Sequence, residues 1–169
     1  PETYNVGADW GASDIIGLML KQFDSVWTKE RRDQAESMGM SPLEVLTVAS
    51  LVEREARVDE ERALIAGVIY NRLEAGMRLQ IDATVQYALG EQKDRLLYSD
   101  LEIDSPYNTY KNDGLPPGPI ASPGLASIDA ALYPEQSSYL YYQTTIEGDG
   151  SHYFCETLEE HNAYKAQKG

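Results

Sequence analysis

The chain has 169 residues, of which 42% are apolar and 25% charged; this suits one globular domain with a sizeable core, or a domain with a small appendage, and excludes a disordered chain. A formal net charge of −14 and a pI near 4.4 make a surface that repels phosphate backbones, so nucleic acid is not an expected partner. No apolar stretch approaches the roughly 20 residues that span a bilayer, no signal peptide is visible, and the single cysteine, Cys155, excludes an internal disulfide. The chain opens at Pro1 without a methionine, within what reads as an ordered segment, so a fragment of a longer protein is expected.

A first helix is predicted after Ser13 or Asp14, through Ile15, Leu18, Met19, Phe23 and Val26, and the polar stretch 29–36 continues it or leads into a second. Ser41, Pro42 and Glu44 form a capping-box start for the next helix, whose apolar run is Leu43, Val45, Leu46, Val48, Ala49, Leu51 and Val52. Asp59 reads as the N-cap of another, with Glu60 and Glu61 complementing its positive end and Gly76 closing it. Asp82 reads as the cap of a shorter helix ending at Gly90. Residues 105–124 are too rich in Pro and Gly for a regular element, and so long an irregular stretch is usually functional. Ser122 and Pro123 are expected to open a helix that stops before Pro134. Strands are predicted over 139–146 and 151–156, around Gly148-Asp149-Gly150, and Thr157 with Glu160 makes a capping box for a last helix. Mostly helices with a small antiparallel sheet near the C-terminus is an α+β domain.

Glu55 falls between Leu51 and Val48 on a wheel of ~100° per residue, so the apolar face surrounds it. A carboxylate there loses solvation and its pKa rises, which is what general-acid cleavage of a glycosidic bond needs. Glu53 projects to the other margin, near Ala49 and Leu46. Periodicity alone favours the plainer reading of both as solvated margins of an amphipathic helix. Gln80 and Asp82 follow a helix in a mixed polar and apolar segment and could bond sugar hydroxyls, or cap and cover the surface. Tyr107, Asn108 and Tyr110 lie in an irregular run whose phenols and amide suit a carbohydrate, or pack the loop onto the domain.

Other chemistries have little support. The two histidines, His152 and His161, lie in no H-E-x-x-H run, and no carboxylate cluster has ligand spacing, so no metal is expected and no cofactor either. Strand alternation puts His152 and Cys155 on opposite faces, against a cysteine–histidine pair. His161 reads as a surface or capping residue of the last helix.

Together, ASLVEREA (49–56), NRLEAGMRLQIDATVQYALG (71–90), SPYNTY (105–110), GLPPGPIASPG (114–124), YLYY (139–142) and HYF…TLEEHN (152–162) resemble the endolytic murein transglycosylase, or YceG-like, family. The order and spacing of these segments are specific, and they cover nearly the whole chain. The resemblance implies that residues 1–169 are one lysozyme-like catalytic domain, with a membrane anchor and a LysM-like module upstream. It implies action at the extracytoplasmic face of the bacterial cytoplasmic membrane on peptidoglycan glycan strands, beside penicillin-binding proteins and the cell-wall elongation complex. The second Glu of the E-x-E pair, Glu55, becomes the catalytic acid and base, and Tyr110, Asn108, Tyr107, Gln80, Asp82 and Asn71 become substrate-binding residues. The reaction implied cuts between N-acetylmuramic acid and N-acetylglucosamine and leaves a 1,6-anhydro end. Two other readings stay open: a hydrolytic muramidase with Asp82 as second carboxylate, and a glycan-binding module without catalysis.

Overall fold

In the computed structural model, which describes residues 1–167, helices and one two-stranded sheet follow each other as the patterning predicts. The chain divides into two compact units, Pro1–Pro42 and a larger one from Leu43 onward.

The first unit carries α1 (Ala12–Val26) and α2 (Lys29–Ser37). α1 starts slightly before the expected Ser13, because the Asp14 carboxylate reaches back to accept the Gly11 N–H at 2.9 Å. The polar stretch is a separate helix, capped by Thr28, whose hydroxyl accepts from the Arg31 N–H. No residue of α1 is buried; Ile15, Ile16, Met19 and Leu20 are exposed.

The second unit is built around α3 (Pro42–Glu55), where every residue from Thr47 to Val52 is buried. A helix buried on all sides must satisfy its polar side chains internally. The Thr47 hydroxyl donates to the Leu43 carbonyl at 2.8 Å, and that of Ser50 donates to the Thr47 carbonyl and accepts the Ile120 N–H at 3.0 Å. Leu43, read as part of the apolar run, is exposed.

Asp59 does not cap the next helix. It opens a 3-10 turn, Asp59–Glu61, and takes the Arg62 guanidinium; α4 (Arg62–Glu74) begins after it. α4 packs on α6 (Leu125–Leu132) through Ile65, Val68, Ile69, Ile128 and Leu132. Each large apolar side chain buried here contributes about 1.5–3 kcal/mol relative to exposure. Gly67 is obligatory, since a Cβ there would lie 2.4 Å from the Glu135 carbonyl oxygen.

α5 (Asp82–Leu89) ends at Gly90, in the left-handed conformation, as expected. Its N-cap is Ile81, and Asp82 is the first helical residue rather than the cap. α6 starts later than Ser122, after Gly124. Strands β1 (Tyr141–Thr144) and β2 (His152–Cys155) pair antiparallel with Tyr142 opposite Phe154 and Thr144 opposite His152, shorter than the predicted strands but in the same places. The last helix, α7 (Leu158–Gln167), carries its predicted box: the Glu160 N–H donates to Thr157 Oγ1, and the Thr157 N–H to Glu160 Oε2, each at 3.2 Å. The α+β class therefore stands.

Candidate active site

Glu55 is the last residue of α3, where the preceding turns deliver it from the buried Val48–Leu51 face to the floor of a cleft of about 340 Å³. Burial pushes its carboxyl pKa up. A hydrogen bond donated by Tyr142 Oη to Oε2, 3.0 Å long, opposes that rise; the charge of Asp82 adds to it, and His152 and Arg54 act against it. The net direction is upward, so this is an acid that keeps its proton to higher pH than an ordinary glutamate. Tyr142 is half-buried, and desolvation beside Glu55 holds its phenol protonated, so it can only donate to the ionised carboxylate.

Tyr142 is held from behind. Its ring meets the His152 imidazole edge-on at 5.4 Å. His152 Nδ1 lies 2.7 Å from Glu61 Oε2, and the His152 N–H donates to Glu61 Oε1 at 2.9 Å, with both side chains largely buried. Glu61, read from sequence as helix-end charge, instead anchors β2 next to the acid.

Around Glu55 the cleft is lined by Gln80, Asp82 and Tyr110 together with Arg72, Tyr141, Gln143, Leu158 and His161. Tyr110 Oη donates to Asp82 Oδ1 at 2.5 Å, and burial together with that bond raises the phenol's pKa. Gln80 has φ of +52°, in the left-handed region that costs a non-glycine residue about 1–2 kcal/mol. Its N–H donates to the Thr109 carbonyl at 3.1 Å, and the next N–H, of Ile81, donates to Thr109 Oγ1 at 3.0 Å. Backbone strain fixed by such bonds is common at functional sites. Among the described residues no three His, Cys, Asp or Glu side chains group as a metal site.

Residues 1–167 match the YceG-like family. The chain belongs to that family. A protein named endolytic murein transglycosylase from Bacillus subtilis is 48% identical over 166 residues, covering 98% of this chain and 45% of that protein. A protein of the same name from Streptococcus pneumoniae (serotype 2, strain D39) is 36% identical over 172 residues, 99% of this chain and 31% of that one. The crystal structure of a YceG-like protein from Listeria monocytogenes superposes with a TM-score of 0.89 at 51% identity, over 96% of this chain and 53% of that chain. The chain thus spans less than half the length of these two curated relatives.

Within this YceG-like domain the structure separates the sequence-predicted residues. Glu55, Gln80, Asp82 and Tyr110 share the cleft. Asn108 does not line it: it is fully buried, its Nδ2 donates to the Leu101 and Ile103 carbonyls, and its Oδ1 accepts the Tyr110 N–H at 3.0 Å. With both ends of the amide committed it cannot reach a ligand, and it holds Tyr110 in place instead. Tyr107 packs on Tyr87, with ring centroids 4.8 Å apart, outside the cleft lining. Asn71 Nδ2 is spent on the Ser137 and Tyr139 carbonyls, pinning the approach to β1.

Glu53 is no solvated margin. It accepts from Ser127 Oγ at 2.6 Å and the Gly124 N–H at 3.1 Å, with Arg62 3.7 Å away. Burial works against its ionisation, but these partners outweigh it and hold the carboxyl below its ordinary pKa. Of the E-x-E pair, one glutamate therefore ties α3 to the end of the 105–124 loop and the other faces the cleft. His161 is a cleft residue, not a surface cap: its ring lies 5.7 Å from Tyr141, its Nδ1 is buried with no hydrogen-bond partner among the described residues, and burial lowers its pKa.

Proposed function

We propose that this domain is a lytic transglycosylase that cuts peptidoglycan glycan strands internally at the bond between N-acetylmuramic acid and N-acetylglucosamine, with Glu55 as both acid and base. The observation that carries the reading is a half-buried carboxyl with raised pKa, bonded on one oxygen by Tyr142, on the floor of a cleft lined with phenols and amides. The names of its relatives support the same substrate.

Tyr142 occupies Oε2, so the proton rides on Oε1 and passes to the glycosidic oxygen as the C1–O bond breaks. The departing sugar keeps that proton as its hydroxyl hydrogen. Ionised Glu55, stabilised by the Tyr142 hydroxyl, then takes the proton of the muramic C6 hydroxyl while O6 closes onto C1. Glu55 ends protonated, no water is consumed, and the product ends in a 1,6-anhydro sugar. Tyr110 and Gln80 face the cleft and supply contacts to the sugar. The same reading puts its action on the cell wall, and we propose the extracytoplasmic face of the membrane as its site, with penicillin-binding proteins among its neighbours.

A second reading rests on Asp82, which shares the cleft and whose charge is felt at Glu55. As a base for an attacking water it would make the enzyme a hydrolytic muramidase. Digestion of purified sacculi followed by mass analysis of the new ends decides: an anhydro end is one water lighter than the hydrolytic product. Anhydro ends support transglycosylation and hydrated ends the muramidase; no cleavage at all would reduce the domain to a binding module.

A further inference from the structure

Arg72 is the cation of the cleft that the proposed chemistry does not use. Its Nε donates to the Leu140 carbonyl at 2.6 Å and its Nη1 to the Leu79 carbonyl at 2.7 Å, with a longer bond to that of Arg78 at 3.3 Å. The Tyr141 ring lies 5.1 Å from the guanidinium carbon. Among the described residues Nη2 has no acceptor and no carboxylate lies within ion-pair distance. Arg62, Arg78 and Lys93 each have a carboxylate partner. Arg72 is instead half-buried, and that partial burial pulls its pKa down while the phenols of Tyr142, Tyr141 and Tyr110 hold it up. A half-buried guanidinium whose free edge opens on the cleft with no counter-ion is placed to accept an anion.

We infer that the free Nη2 edge of Arg72 is a carboxylate-binding subsite of the cleft, which takes a carboxylate carried by the glycan strand. The inference rests on the proposed reading of the cleft as a glycan site. Of the two alternating sugars only the muramic one bears a lactyl group, whose carboxyl is free on a denuded strand and amide-linked on a strand with stem peptides; the peptides carry carboxylates of their own. The guanidinium is pre-oriented by two carbonyls and an aromatic face, so little ordering is lost when an anion binds. His161 beside it has a lowered pKa, adds no second charge and leaves a neutral ring against the same wall. A subsite in the same cleft as Glu55 would set which sugar faces the acid, since N-acetylglucosamine has nothing for Arg72 to hold.

The test uses the Glu55→Gln chain, so that nothing is cleaved, and calorimetric titration with three strands of equal length. The first is denuded with free lactyl carboxylates, the second is the same strand with those carboxylates coupled to methylamine, and the third bears stem peptides. Blocking the carboxylates should weaken binding by about tenfold to a hundredfold, as loss of a charge-assisted hydrogen bond does. Tight binding of the third strand identifies the stem peptide as the carboxylate source; weak binding identifies the lactyl group. Arg72→Gln should remove the discrimination, and Arg72→Lys, which keeps the charge and better preserves folding, should narrow it. Equal affinity for all three strands, or discrimination unchanged in the Arg72 variant, overturns the subsite. Cleavage of sacculi by the unsubstituted chain is scored separately, so a failed subsite with intact cleavage leaves the proposed activity standing.

Discussion

Tyr142→Phe tests the acid most directly. The substitution removes one oxygen and leaves the ring against His152 and Phe154. The lost bond is 3.0 Å long and goes to a carboxylate, so it stabilises the ionised form of Glu55 over the protonated one. Hydrogen bonds to charged groups contribute about 1.5–3 kcal/mol, and a pKa unit is about 1.4 kcal/mol, so the Glu55 pKa should rise by roughly 1–2. The alkaline limb of the pH–rate profile, where the acid loses its proton, should move up by that amount. Turnover at neutral pH should fall about tenfold or more, because the conjugate base loses its stabilising donor and the carboxyl its fixed rotamer. The assay is kcat/KM from pH 4 to 9 on denuded strands, with thermal melts to confirm folding. An alkaline limb that stays put or moves down would refute the assignment of Glu55 as the acid held by Tyr142.

Glu55→Gln should abolish cleavage and raise Tm at pH 7. A carboxyl with its pKa raised by burial contributes most to stability below its unfolded pKa and loses that contribution as pH rises through the folded value; the variant's advantage in melting should therefore vanish near pH 4. Glu53→Gln should keep most activity but cost about 1–2 kcal/mol at pH 7, since the single oxygen that accepts from both Ser127 and Gly124 becomes a neutral amide oxygen, and the charge facing Arg62 is lost. Its pKa is lowered, so the deficit should shrink as pH falls through the folded pKa, the opposite dependence to that of Glu55. Tyr110→Phe should lower turnover severalfold with a Tm change of only a few degrees, since only its hydroxyl on Asp82 is lost. Activity should survive exhaustive EDTA treatment; a loss restored by a divalent ion would contradict the metal-free mechanism.

The helices were legible where local chemistry decides them: the Thr157–Glu160 box, Gly76 and Gly90 after their helices, and the α3 start at Pro42 all act within a few residues. Asp59 and Asp82 misled for one reason. Each is a good capping residue by type, but another side chain took its carboxylate, Arg62 three residues on for Asp59 and the distant Tyr110 for Asp82, and the chain entered each helix differently. Amphipathic periodicity put Glu55 among buried neighbours but could not tell it from Glu53, because both flank the same apolar face. What separates them lies far along the chain: Gly124 and Ser127 for Glu53, and Tyr142 for Glu55.

The same logic explains which cleft residues escaped the sequence. Asn108 looked like a ligand because an amide in an irregular loop has no helix or sheet to explain it. Its amide is needed to close the turn that presents Tyr110, a role that also demands a residue able to donate twice and accept once. Arg72, Tyr142, His152 and His161 looked ordinary because each sits in a regular element, where packing or solvation is explanation enough. Their function arises only when β1, β2 and α7 are folded against α3 and α4. Loop 105–124 is fixed at both ends, by Asn108 and Thr109 near α5 and by Ile120 and Gly124 on α3, so it carries Tyr110 to the cleft on a rigid frame. A rigid frame matters most for a reaction in which one carboxyl must give a proton and then take one from a different oxygen, because both atoms have to be in reach without rearrangement.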